Sequence, residues 1–176
     1  MFTTLAYRTL MHQKRWATNG LNAVLADAED GLPDDDRVVV RRLLDHVQTV
    51  DDIFSHTLEG QPHGHRAPRS SELPSLETLA RQARTTADWY VAYADTLDPD
   101  RVDETIAFTF TSGEPARMTR GEILLHVATH AAGHRGQVAL LLQKNGMQPW
   151  PDRLTDFLAA APARSPQEAP GAQGTP

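Results

Sequence analysis

Residues 119–142 read TRGEILLHVATHAAGHRGQVALLL and carry the clearest helix signal in the chain. Thr119 and Glu122 have the spacing of a capping box, in which each side chain bonds the other residue's backbone N–H. Apolar residues then recur at helical spacing until Asn145 and Gly146, which form a typical helix stop. The stretch therefore predicts a long amphipathic helix with one apolar face.

Three further segments have the same helical period and end at glycine or proline. They cover approximately residues 4–27, 34–60 and 75–97. Residues 105–110 instead alternate polar and apolar, and Ser112 and Gly113 follow as a turn. We therefore predict an all-α fold, a four-helix bundle with a short hairpin or an extended crossover between helices 3 and 4.

Length and composition limit the classes of protein to consider. The chain has 176 residues, which suits one domain, and we assign residues 1–160 to it and residues 161–176, rich in Pro, Gly and Ala, to a disordered tail. Scattered basic residues and a net charge of -6 argue against a nucleic-acid partner. The N-terminus does not resemble a signal peptide, and no apolar run approaches the roughly 20 residues that span a bilayer. We expect a cytoplasmic protein with no membrane partner.

The chain has no cysteine and eight histidines. It can form no disulfide, thiolate metal site or cysteine nucleophile. Any ligand chemistry must therefore use histidine, a carboxylate or a group supplied from outside.

Two histidines lie in the middle of the apolar stripe of helix 4. His130 and His134 are four residues apart, so one ring lies one helical turn beyond the other on the same face. Each buried ring needs a polar partner, because an unpaired one costs about 1–3 kcal/mol. The pair alone leaves two interpretations open, a metal site and two core histidines bonded to carbonyl groups.

Helix 2 offers a third ligand. His46 falls on the flank of its apolar face, whereas His56 falls on the polar side. We expect three other histidines at the surface. His12 lies on the polar side of helix 1, and His63 and His65 lie in the Pro- and Gly-containing loop after helix 2. Nitrogen donors suit Zn, Ni or Fe(II), and three of them leave a position at which water or a thiol can lose a proton near neutral pH.

Residues 124–137, LLHVATHAAGHRGQ, resemble the signature of the DinB-like (DinB/YfiT) family of metal-dependent enzymes, in which HxxxH runs into HRGQ. Residues 44–54, LDHVQTVDDIF, 15–19, RWATN, and 110–115, FTSGEP, extend the resemblance to nearly the whole chain. The resemblance implies a four-helix bundle, a homodimer, and a divalent metal ion held by His46, His130 and His134. It also implies a small-molecule substrate, with a low-molecular-weight thiol as cosubstrate if the protein acts like the thiol-dependent S-transferases of the superfamily.

Three nearby residues are candidates for supporting roles. Gln137 is placed to bond a metal-bound water, or else lies at the rim of the helix interface. Asp51 is placed to orient a ligand imidazole or to form an ion pair with Arg135. His126 is a candidate proton shuttle or an edge histidine without such a role.

Three functions stay open at this point. The first is a metal-dependent enzyme, a thiol S-transferase or a hydrolase. The second is a non-catalytic metal- or small-ligand-binding bundle in a stress response, and the third is a dimerisation module whose histidines fill the core. Because the chain has no cysteine, any thiol chemistry requires a sulfur that arrives with a substrate.

Overall fold

Four long helices dominate the computed structural model, which describes residues 2–160. The long helices and a short fifth one are α1 (Phe2–Ala28), α2 (Asp34–Glu59), α3 (Leu76–Thr96), α4 (Arg120–Lys144) and α5 (Leu154–Ala160). The predicted helical character is confirmed, whereas α5 was not predicted. The predicted disordered tail, residues 161–176, lies outside the described residues. No helix within residues 2–160 has both the length and the apolarity needed to cross a bilayer.

The ends of the long helices follow local sequence signals. Thr119 and Glu122 form the predicted capping box at the start of α4. The Ser75 hydroxyl accepts a hydrogen bond from the Thr78 backbone at the start of α3. Gly60 stops α2 in the left-handed region, at φ 69°, where a residue without Cβ is favoured.

The crossover between α3 and α4 is a hairpin. Strands β1 (Thr105–Thr109) and β2 (Pro115–Thr119) pair antiparallel, with Phe108 opposite Ala116. Alternate residues face the helices, and Ile106 and Phe108 pack against the core. The sequence of this strand therefore alternates between polar and apolar residues because one face of the hairpin is packed against the core.

The helix that carries His46 lies beside the helix that carries His130 and His134. Helix α2 packs against α3 and α4, and helix α1 packs against the same two helices. Apolar residues from all four long helices form the two clusters of the core. This arrangement turns the histidine-bearing edges of α2 and α4 towards each other.

An arginine joins the hairpin to the helices. Arg120 is buried, and its guanidinium donates to Glu104 at 2.9 and 3.1 Å, to the Leu58 carbonyl at 2.7 Å and to the Tyr93 hydroxyl at 2.8 Å. Hydrogen bonds from Arg120 and Arg101 lower the pKa of the Glu104 carboxyl to about 2. Glu104 is therefore ionised throughout the neutral range.

The segment after α4 folds back across α1. The Trp150 ring lies 5.4 Å from the Trp16 ring, and it covers Gly20 so closely that a Cβ there would collide with the indole. The segment is also fixed by Asp152, which accepts hydrogen bonds from Arg135 at 2.8 and 3.0 Å. Gly20 thus permits a close approach that no larger residue would allow.

Candidate metal centre

The structure brings His46, His130 and His134 together. One ring nitrogen of each lies within 4.8 Å of the others, and all three side chains are half-buried. The Nε2 atoms of His46 and His130 are 3.0 Å apart. His134 stands one turn beyond His130, with its ring centroid 4.6 Å away. The helical spacing on α4 and the contact between α2 and α4 therefore produce one convergent group.

Hydrogen bonds donated by Nδ1 leave a lone pair on the Nε2 atom of two of these rings. His46 donates from Nδ1 to the Pro68 carbonyl at 2.6 Å, and His134 donates from Nδ1 to Gln137 Oε1 at 2.7 Å. A proton on Nδ1 places the lone pair on Nε2, which is the arrangement typical of metal-binding histidines. The third ring, His130, has a buried Nδ1 without a hydrogen-bond partner among residues 2–160.

Side chains of α2 hold the carbonyl that orients His46. The Asp45 carboxylate is buried and accepts a hydrogen bond from the Ser70 backbone at 2.9 Å. Arg41 donates to the Pro74 carbonyl at 2.9 Å. These bonds fasten the segment between α2 and α3 along its length, so that Pro68 is held over His46. Sequence reasoning missed this role for Asp45 and Pro68.

The environment of two histidines on α4, His126 and His130, favours the neutral imidazole. Burial, together with the neighbouring side chains of His134, His46 and His126, lowers the pKa of His130 to about 4. Burial also lowers the pKa of His126, against the attraction of Asp51. Neutral rings at physiological pH have the lone pairs that a metal ion requires.

The donor set could hold a metal ion. Two Zn–N bonds of about 2.0–2.1 Å at a tetrahedral angle place their nitrogens roughly 3.3 Å apart, and the Nε2 atoms of His46 and His130, at 3.0 Å, have close to that spacing. Within residues 2–160, the group contains histidines alone and no carboxylate. Three nitrogen donors of this kind suit Zn, Ni or Fe(II).

Asp51 forms an ion pair, with a partner that differs from the predicted one. Its Oδ2 lies 2.5 Å from Lys14 Nζ, and the two side chains are 6% and 2% exposed. Arg135 donates to Asp152 instead, so the predicted Asp51–Arg135 pair is wrong. Helical spacing could have indicated the burial of Lys14, because it lies four residues after Leu10 and three before Ala17, within the apolar stripe of α1.

His126 lies beside the group without belonging to it. Its ring stacks on His130 with centroids 5.4 Å apart, and it packs against Phe54 at 4.9 Å. It extends the aromatic lining of the site by one helical turn along α4. The structure thus places His126 in contact with one candidate ligand.

The other histidines have contacts elsewhere. His12 lies 3.2 Å from Asp95, and His56 donates to the Asp52 carbonyl at 2.8 Å. His65 lies 2.7 Å from the Asp52 carboxylate, and its ring is 6.0 Å from that of His63. These side chains lie outside the convergent group.

The fold and the site together define a mostly helical protein with a three-histidine candidate metal centre. A family model described as "DinB family" matches residues 1–169, nearly the whole chain. The chain therefore belongs to the DinB family, as its motifs predicted. No curated protein matches the chain, and no solved structure matches it.

Proposed function

We propose that the long helices form a DinB-like four-helix bundle that binds one divalent metal ion, Zn, Ni or Fe(II), through His46, His130 and His134. The observation that carries this proposal is the convergence of their ring nitrogens within 4.8 Å. The Nδ1 hydrogen bonds of His46 and His134 support it, since they leave the Nε2 lone pair of each ring available to a metal ion. Neutral His130 needs no deprotonation before it binds a metal ion.

We further propose that the site is catalytic, in a thiol S-transferase or a hydrolase. A divalent metal ion held by three nitrogens supplies Lewis acidity and leaves a position for a water or a low-molecular-weight thiol. The Pro68 carbonyl and the Gln137 amide hold two of the rings in place. Phe54 and His126 give the small-molecule substrate an aromatic wall beside His130.

Metal analysis tests the binding step. The purified chain, free of any added histidine tag, is dialysed against each metal in turn, and bound metal is counted by mass spectrometry. We expect one ion per chain, and a loss of at least 10-fold in affinity for His130→Ala. His56→Ala is the matched control, because His56 is also a half-buried helical histidine with its own hydrogen bond. Wild-type protein without stoichiometric metal, or unchanged binding by His130→Ala, would overturn the proposal.

A reaction screen tests catalysis. The metal-loaded protein is assayed for conjugation of electrophiles with several low-molecular-weight thiols, and in parallel for ester and amide hydrolysis. Metal-dependent turnover only with a thiol identifies a transferase, and turnover without a thiol identifies a hydrolase. Metal binding without turnover in either assay favours the non-catalytic binding protein instead.

We also propose that the protein is a homodimer. Large apolar side chains are exposed on the helices that carry the site, with Val38 and Val39 on α2 and Leu125 and Leu140 on α4. A second copy of the chain would cover such surface. Light scattering coupled to size exclusion is expected to give twice the chain mass of 19.4 kDa. A monomer over the whole accessible concentration range would contradict this proposal.

A further inference from the structure

A small cavity lies between the four long helices. Its volume is about 30 Å³. Residues from each long helix line it, and most of the lining surface is apolar. The polar side chains among them are Thr18, Asn22, Gln48, Asp51 and Arg135. The histidines of the candidate metal centre do not line this cavity.

Four of these side chains each have one buried polar atom without a hydrogen-bond partner among the described residues. The atoms are Asn22 Nδ2, Gln48 Oε1, Asp51 Oδ1 and Arg135 Nη1. Their residues come from α1, α2 and α4, are far apart in the sequence, and all line this cavity. Buried polar groups are almost always hydrogen-bonded in folded proteins, so four such atoms around one cavity indicate a common partner.

We propose that the cavity is a binding site for one or two ordered water molecules that complete these hydrogen bonds. A cavity needs roughly 10–15 Å³ of this kind of volume to hold one water molecule, so about 30 Å³ holds one or two. Buried waters typically make about three hydrogen bonds to groups of this sort. The four atoms give each water the partners it needs.

The chemistry of the four atoms selects water over an ion. Asn22 and Arg135 present N–H donors, whereas Gln48 and Asp51 present oxygen acceptors. Because a carboxylate and a guanidinium both line the cavity, attraction of an ion of either sign by one group is opposed by repulsion from the other. Water accepts two hydrogen bonds and donates two, which matches two donors and two acceptors.

The bound water would join two ion pairs into one network. Asp51 Oδ2 already bonds Lys14, and the Arg135 guanidinium already bonds Asp152. A water between Asp51 Oδ1 and Arg135 Nη1 therefore links α1, α2, α4 and the segment that follows α4. This inference concerns the core of the bundle and does not depend on metal binding.

A high-resolution crystal structure of the full chain tests the proposal directly. We expect one or two density peaks within hydrogen-bond distance, about 2.7–3.2 Å, of at least three of the four atoms. A dry cavity would overturn the proposal. A direct bond between Asp51 Oδ1 and Arg135 Nη1 that closes the cavity, or an ion identified by anomalous scattering, would also overturn it.

Oxygen-17 relaxation dispersion tests it in solution by counting long-lived internal waters. Asn22→Leu removes one donor and fills part of the space, so we expect it to lose one or two internal waters per chain relative to wild type. Asn19→Leu is the matched control, because Asn19 is exposed on the same helix, and it is expected to lose none. Equal counts in wild type and both variants would contradict the proposal. If Asn22→Leu does not fold, the crystal structure of the wild type still decides.

Discussion

Replacing Lys14 with methionine tests the buried ion pair between α1 and α2. Lys14 Nζ and Asp51 Oδ2 are 2.5 Å apart, and the side chains are only 2% and 6% exposed. Methionine keeps an unbranched side chain of similar reach but removes the charge. Asp51 then stays in the core as a carboxylate without its cation.

The expected loss of stability is large because the pair is almost fully buried. Removing one partner of a buried ion pair costs about 3–5 kcal/mol, since the other charge is left uncompensated. For a chain of this size, roughly 2–4 °C per kcal/mol converts that loss into a fall of about 6–20 °C in Tm. The double variant Lys14→Met/Asp51→Asn should recover most of the loss, because it leaves no unpaired charge.

Urea unfolding followed by circular dichroism, at pH 7 and at pH 5, measures the effect. Burial raises the pKa of Asp51, and Lys14 opposes that rise. Without Lys14 the folded state binds a proton on Asp51 more readily, so the loss should shrink as pH falls. Lys144→Met is the control, because its pair with Asp36 has a lysine 63% exposed, and it should cost less. A loss below about 1 kcal/mol for Lys14→Met, or one unaffected by the second substitution, would refute the reasoning.

Three further predictions concern the ligand shell, the close approach of α1 and the hairpin. Gln137→Ala should weaken metal affinity about 10–100-fold by freeing a ligand ring, as measured by calorimetric titration. Gly20→Ala should destabilise the fold by about 1–3 kcal/mol, because the added methyl collides with the indole above it. Hydrogen bonds from two arginines hold the Glu104 pKa at about 2, so its stabilisation is complete above the unfolded value of about 4.3 and is lost as pH falls towards 2. The Tm difference between wild type and Glu104→Gln should follow that course.

Each of these predictions has a matched control or a contradicting result. Gln143 is exposed on the same helix as Gln137, and Gln143→Ala should leave metal affinity unchanged. Gly136 has open space where a Cβ would lie, so Gly136→Ala should stabilise the helix by up to about 1 kcal/mol. Equal effects of the two glycine variants would count against the steric argument. A Tm difference for Glu104→Gln that grows between pH 4 and pH 2 would have the wrong sign.

The long helices and the hairpin could be predicted because their signals are local. The capping box at Thr119, the stop at Gly60 and the alternation in residues 105–110 each act within a few residues. The short helix α5 was missed because its seven residues carry too few turns for a periodic pattern. It is held by contacts of Trp150 and Phe157 with Trp16 on α1, which a local pattern does not reveal.

The three histidines could be selected from the sequence because helical period places each on or beside an apolar face. The partner of Asp51 could not be selected in the same way. Several cations compete for one buried carboxylate, and helix packing decides among them. Here α1 packs against α3 and α4, and Lys14 on α1 bonds Asp51. Arg135 instead bonds Asp152, which lies beyond the end of α4.

The orientation of His46 depends on a part of the chain that carries no side-chain signal. The acceptor is the backbone carbonyl of Pro68, which every residue type would provide. The position of this carbonyl is set by a neighbouring hydrogen bond, in which the Ser70 amide donates to the buried Asp45 carboxylate. Asp45 lies one residue before His46 on α2. Successive residues on a helix point about 100° apart, so Asp45 can bond the segment between α2 and α3 while His46 faces α4. The segment between α2 and α3 therefore belongs to the candidate metal centre as much as the helices do, and Asp45 connects the two.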